Sequence, residues 1–154
     1  MMSRRRAMAT ICWLASAWTT HAAAGQTMSA PLEVRAAWIR WLPAGLPAAG
    51  YAVLYNRTNA PVVLVGAEST EFARTMIHRS LSSGGLERML PVARLAVPAR
   101  GSIRLSPGGY HLMLIQPRRP VVIGAHVEIR LTYANGRSQT VEFVVRPANA
   151  TGPH

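Results

Sequence analysis

The chain alternates short apolar runs with clusters of turn-forming residues. Eight runs rich in Val, Ile, Leu and Tyr are separated by Gly, Pro and Asn, and no long stretch has a helical period. In Val127–Leu131 apolar and charged residues alternate, which is typical of a strand with one exposed face. Asn135-Gly136, between two alternating runs, predicts a β-hairpin. The pattern predicts an all-β fold, an antiparallel β-sandwich, with strands at Leu32–Trp41, Gly50–Asn56, Val62–Glu68, Ala93–Val97, Ser102–Leu105, Tyr110–Ile115, Val127–Tyr133 and Thr140–Val145.

The first 24 residues have the composition of a secretory signal peptide. Arg4–Arg6 supply the positive charge, Ala7–Trp18 the short apolar segment, and Ala22–Ala24 the small residues before a cleavage site. We therefore expect cleavage near Ala24 and a periplasmic protein, by either Sec or twin-Arg export. An uncleaved membrane anchor is the alternative, although the twelve apolar residues are few for a bilayer span.

The predicted mature chain is a single domain without cysteine. We expect a flexible lead-in over 25–31, one β-sandwich domain over 32–147 and a loose polar tail over 148–154. Cys12, the single cysteine, leaves with the signal, so an internal disulfide is excluded. The mature chain keeps 14 Arg and six Glu, with neither Lys nor Asp, and its formal charge is +8.

Sequence motifs of enzymes are missing. There is no nucleophile elbow, phosphate-binding loop, dinucleotide fingerprint or zinc-protease motif, and no two Glu are paired for acid–base chemistry. We therefore expect a protein that is not an enzyme. The positive charge leaves open a metal-free sandwich module that binds an anionic partner. Export and the scattered positions of the arginines argue against a nucleic-acid partner.

Histidine and methionine form the one suggestive chemical cluster. His111 and Met113 stand at i and i+2, so on a strand both side chains project from one face, about 6.6 Å apart. One metal ion can bind both. His78 and Met89 lie earlier and could complete the set. The competing interpretation is that the methionines fill the core and the histidines lie on the surface.

The spacing of these four residues resembles the signature of the periplasmic CuA-assembly copper chaperones, the PCuA(C) family. His78 and Met89 are separated by ten residues, Met89 and His111 by twenty-one, and His111 and Met113 by one. The runs Ala48–Asn56 and Pro107–Leu114 are also similar to family landmarks, and the resemblance extends over about 33–146.

This resemblance implies a cupredoxin-like or Ig-like antiparallel Greek-key β-sandwich and a copper chaperone. It implies one Cu(I) per monomer, held by His78, Met89, His111 and Met113. The copper would be delivered by ligand exchange for CuA assembly, with cytochrome c oxidase subunit II as acceptor and a second copper chaperone as possible donor. A copper storage or resistance protein with the same site is the alternative.

The donor chemistry suits Cu(I). Thioether sulfur selects Cu(I) over Zn²⁺, Ca²⁺ or Mg²⁺, and the absence of a thiolate argues against a blue-copper electron carrier. The chain departs from the family pattern at Arg79, where Glu is frequent, and in the loop before Met89, which has no additional methionine. Met76 is either a stand-in ligand or a core residue. A second copper site in the tail, which has only His154, is not expected.

Overall fold

The computed structural model describes residues 30–43 and 45–154. The predicted signal peptide and most of the predicted lead-in lie outside these residues. The described part of the chain contains ten strands and no helix, which confirms the predicted all-β class. The ten strands are β1 Glu33–Arg40, β2 Ala48–Tyr55, β3 Val62–Glu68, β4 Phe72–Ser83, β5 Leu86–Pro91, β6 Leu95–Val97, β7 Ser102–Leu105, β8 Tyr110–Pro117, β9 His126–Tyr133 and β10 Ser138–Arg146.

The strands form one continuous sheet in the order β5-β4-β8-β7-β2-β1-β10-β9-β3-β6, with β2 also pairing with β8. Most neighbours are antiparallel, as the hairpin signals predicted. The pairs β1–β10 and β7–β8 are parallel, which the sequence pattern did not indicate. In the first of these pairs, the first and last strands lie side by side, so residues near the two ends of the domain are joined in one sheet.

The sheet folds over on itself around one hydrophobic core. Strands β3 and β4 are far apart in the sheet order but contact each other, which makes two layers. Most buried side chains are aliphatic, because the sequence has few aromatic residues. The largest fully buried side chains include Tyr133, Phe72, Phe143, Leu54, Leu112, Leu114 and Ile129.

The pattern of apolar residues did not predict the β4–β5 hairpin. Its turn is Gly84-Gly85, and both residues have positive φ, at 59° and 79°, which only glycine adopts without strain. All six residues of β5 are exposed, so no apolar alternation marks the strand. The Gly84-Gly85 dipeptide, in the loop before Met89, was the available hairpin signal.

The tail has no regular secondary structure but makes a hydrogen bond with the last strand. The Nε of Arg146, the last residue of β10, donates a hydrogen bond to the carbonyl oxygen of Pro153 over 2.9 Å. At the other end of the domain, Gln139 Nε2 donates a hydrogen bond to the carbonyl oxygen of Leu32 over 2.9 Å.

No helix in the described residues is long and apolar enough to cross a bilayer.

Candidate metal centre

The two candidate histidines are cross-strand neighbours. His78 of β4 lies opposite His111 of β8, so their side chains share one face of the sheet. Their ring centroids are 6.0 Å apart and the ring planes are inclined at 66°. Residues 33 positions apart in the chain are thus brought together by the pairing of two strands, and both residues are buried, at 9% and 4% exposed.

The two candidate methionines lie on either side of the histidine pair. Met113 follows His111 by two residues on β8, whereas Met89 of β5 lies opposite Ser80, two residues beyond His78 on β4. Because side chains two residues apart on a strand share a face, all four candidates project from the same side of the β5-β4-β8 sheet. Met89 is 53% exposed and Met113 is half-buried.

Three of the four candidates line one cavity. The cavity has a volume of about 260 Å³ and is open to the surface. His78, the cross-strand neighbour of His111, is not among the residues that line this cavity. The lining residues are Arg40, Leu42, Pro47, Ala48, Ala49, Tyr51, Ser80, Glu87, Met89, Pro107, Gly108, His111 and Met113.

A hydrogen bond fixes the tautomer of His111. Its Nδ1 lies 3.1 Å from the carbonyl oxygen of Gly109, and a carbonyl oxygen can only accept. Nδ1 therefore carries the proton and donates the hydrogen bond, which leaves the lone pair of Nε2 free for a metal ion. This is the usual arrangement of a metal-binding histidine and its outer partner.

His78 has an unsatisfied ring nitrogen. Its Nδ1 is buried and has no hydrogen-bond partner among the described residues. Burial, followed by the nearby His111, lowers the pKa of His78 below its ordinary value of 6.5. The ring is therefore neutral at pH 7 and can offer a lone pair to a metal ion.

Met76 lies with the candidate ligands. It is opposite Met113 in the neighbouring strand, on the same face as His78, and it is half-buried. Its neighbour Ile77 projects to the other face and belongs to the core cluster. The strand register therefore places Met76 on the face of the candidate ligands and not on the face of the core, as expected of a stand-in ligand.

Arg40 is a cavity residue that sequence reasoning did not single out. It pairs with Ala49 of β2, which pairs in turn with Met113 of β8, so the three residues form a row on one face. Its Nη2 donates to the hydroxyl oxygen of Tyr51 over 2.6 Å, and its guanidinium carbon lies 5.3 Å from the centre of that ring. Only the strand register, which the sequence does not specify, reveals this position.

The other candidate sites among the described residues have fewer features of a binding site. Among the described residues no three His, Cys, Asp or Glu side chains come close enough together to hold a metal ion. A candidate metal centre therefore needs the methionines as ligands. A larger cavity of about 470 Å³ contains none of the candidate ligands and is lined by Glu68, Ser69, Thr70, Arg118, Glu128, Arg130 and Thr140. Its mixed charges do not favour an anionic ligand. His126 is exposed at the start of β9, as expected for a surface histidine.

The fold is that of the PCuAC domains. The solution structure of CuI-DR1885 from Deinococcus radiodurans is 31% identical to this chain and superposes with a TM-score of 0.65, covering 82% of this chain and 85% of that one. The copper-bound PCuAC domain from PmoF2 is 19% identical, with a TM-score of 0.64 over 77% of this chain and 94% of that domain. The resemblance to the PCuA(C) copper chaperones is thereby confirmed.

The chain belongs to the LpqE-like family. The family described as "Putative lipoprotein LpqE-like" matches residues 32–145, nearly the whole described domain. A relative from Leifsonia xyli subsp. xyli, "Putative lipoprotein Lxx21020", is 26% identical over 116 residues, which are 75% of this chain and 69% of the relative.

Proposed function

We propose that this protein is an exported copper chaperone. It binds one Cu(I) through His78, Met89, His111 and Met113 and passes the ion to an acceptor protein by ligand exchange. The proposed acceptor is subunit II of cytochrome c oxidase, whose CuA centre would receive the metal in the periplasm. A second copper chaperone is the proposed donor.

The observation that carries this proposal is the arrangement of the four donors. Two imidazoles with available nitrogens lie side by side, and a thioether stands on either side of them on the same face of the sheet. Thioethers and neutral imidazoles suit Cu(I), which accepts irregular three- or four-coordinate geometry. The Cu(I) form of the Deinococcus radiodurans relative, at 31% identity, supports the same metal here.

The exposure of Met89 favours delivery over storage. This ligand lies on the outer strand of the hairpin and is 53% exposed, whereas both histidines are buried. An incoming acceptor ligand can displace an exposed thioether first, while the imidazoles still hold the ion. A storage protein has no need for a ligand that an acceptor can reach.

Transfer to a defined acceptor tests the proposed role. The Cu(I)-loaded protein is mixed anaerobically with the apo CuA domain of oxidase subunit II, and the two proteins are then separated and assayed for copper. We expect copper on the CuA domain, with faster transfer from the Met89→Leu variant, because the ligand that the acceptor displaces first is already missing there. Copper that stays on this protein would contradict delivery to that acceptor.

A deletion strain separates delivery from storage. Loss of oxidase activity at low copper, rescued by added copper, is expected of a chaperone. Sensitivity to high copper with normal oxidase activity would instead support the storage or resistance role.

A further inference from the structure

Arg40 places a positive charge in the wall of the candidate copper cavity. The guanidinium is held by Tyr51, through the hydrogen bond of 2.6 Å and the stacking on its ring. Tyr51 is itself buried, and it pairs with Trp38 on β1. The charge is therefore fixed in position by a rigid part of the sheet.

The charge of Arg40 is not neutralised within the described residues. No carboxylate of the described residues lies within 4.0 Å of the guanidinium, and the ion pairs of the structure are formed by other residues. Its Nε is buried without a hydrogen-bond partner. Glu87, on the exposed outer strand, is the one carboxylate among the lining residues of the cavity, and it forms no ion pair with Arg40.

Only the small side chain of Ala49 separates Arg40 from Met113 in their row, and all three residues line the cavity. Ala49 stands between Arg40 and Met113 in the row across β1, β2 and β8. Neighbouring strands are about 4.8 Å apart, so the backbones of Arg40 and Met113 are separated by about 10 Å. No other side chain of that row stands between the guanidinium and the cavity.

We propose that Arg40 selects Cu(I) over Cu(II) at this site by charge. The inference rests on the proposed copper-binding function. The four ligands are neutral, so the fixed charge of Arg40 acts on the metal ion without compensation from the ligands. Cu(II) carries one more positive charge than Cu(I) and is repelled more strongly. If the backbone spacing of about 10 Å is taken as the distance from the charge to the ion, then at an effective dielectric constant of about 20 a unit charge changes the binding constant by on the order of tenfold for each charge of the ion.

The same repulsion favours release. It weakens Cu(I) binding by about tenfold relative to a site without the charge. An acceptor with negatively charged ligands gains in comparison, because it attracts the ion that Arg40 repels. The residue thus keeps the cargo in the reduced form and makes the hand-over easier.

The test compares Arg40→Gln with Arg40→Lys in the full mature protein. Cu(I) affinity is measured anaerobically against a chromogenic Cu(I) chelator, and Cu(II) affinity in air against a Cu(II) chelator. Only metal binding that disappears in the His111→Ala/Met113→Ala variant is attributed to the site. Arg104→Gln, which removes an exposed arginine on β7 outside the cavity, is the matched control for net charge.

We expect Arg40→Gln to raise Cu(I) affinity by about tenfold and Cu(II) affinity by about a hundredfold. Arg40→Lys and Arg104→Gln should leave the ratio of the two affinities within about threefold of the wild type. An unchanged ratio in Arg40→Gln would overturn the inference, as would an equal change in Arg40→Lys, because either result would assign Arg40 a structural role. If the wild-type protein bound no Cu(I) at this site, the proposed function itself would fail.

Discussion

The two candidate histidines differ in what surrounds them, and this difference has a measurable consequence. His111 has a fixed tautomer because its Nδ1–H donates a hydrogen bond to the carbonyl oxygen of Gly109. His78 has no such partner among the described residues, and its pKa is lowered by burial and by His111. The free energy of unfolding should therefore depend on pH through His78.

We predict that the metal-free protein loses stability in acid through this residue. The lowered pKa means that the unfolded chain binds the proton more readily. The contribution is fully present above pH 6.5 and is lost as the pH falls from there through the pKa of the folded protein. Urea unfolding at pH 7.5 and pH 5 should show a smaller loss in His78→Gln than in the wild type. The exposed His126→Gln is the control, and an equal loss in all three proteins would contradict the prediction.

We predict that Met113 and Met76 contribute unequally to copper binding. Met113 lines the cavity, whereas Met76 shares the face but is not part of the cavity wall. Leucine replaces methionine with little change in volume but cannot bind the metal. Met113→Leu should weaken Cu(I) binding by more than about tenfold, and Met76→Leu by less than about threefold. The reverse order in a competition titration would make Met76 the ligand.

At the scale of elements, the site depends on the hairpin β4–β5 and on β8. The register of these strands brings together residues that are far apart in the sequence. The ligand spacing predicted all four candidates, and the alternation of apolar residues predicted β8. The hairpin itself was not predicted, since its outer strand packs against no core and has no apolar alternation.

We predict that the junction of β2 and β8 tolerates no additional atom. A Cβ at Gly50 would lie 3.1 Å from Cβ of Leu112 and 3.4 Å from Cδ1 of Leu114, both fully buried. Gly50→Ala should therefore destabilise the protein by about 1–3 kcal/mol, as measured by urea unfolding. At Gly66 the added carbon would meet only Cβ of Thr132, at 3.8 Å, so Gly66→Ala should change stability by less than about 0.5 kcal/mol. Equal effects would show that the contact at Gly50 is not tight.

At the scale of the whole molecule, the sequence predicted the all-β class but not the sheet order. Hairpins are local, so Asn135-Gly136 correctly predicted the β9–β10 pair. The parallel pairing of β1 with β10 joins residues about a hundred positions apart, and no local signal encodes it. The position of Arg40 beside the candidate ligands depends on such long-range register, which is why the sequence did not reveal it.

We predict that copper stabilises the whole domain, because only the folded chain brings the four donors together. Free Cu(I) at a hundred times Kd should add about 2.7 kcal/mol to the free energy of unfolding. The Tm should rise by on the order of 10 °C in an anaerobic thermal scan. The His111→Ala/Met113→Ala variant should show no rise, and an equal rise in both proteins would indicate binding elsewhere.

The most direct test of the central claim is an anaerobic titration of the mature protein with Cu(I) against a chromogenic competitor, together with the His111→Ala/Met113→Ala variant. We predict one tightly bound Cu(I) per chain in the wild type and its loss in the variant. Failure to compete for Cu(I) at neutral pH would contradict the copper site. The basic sandwich would then be tested for binding to anionic lipid vesicles.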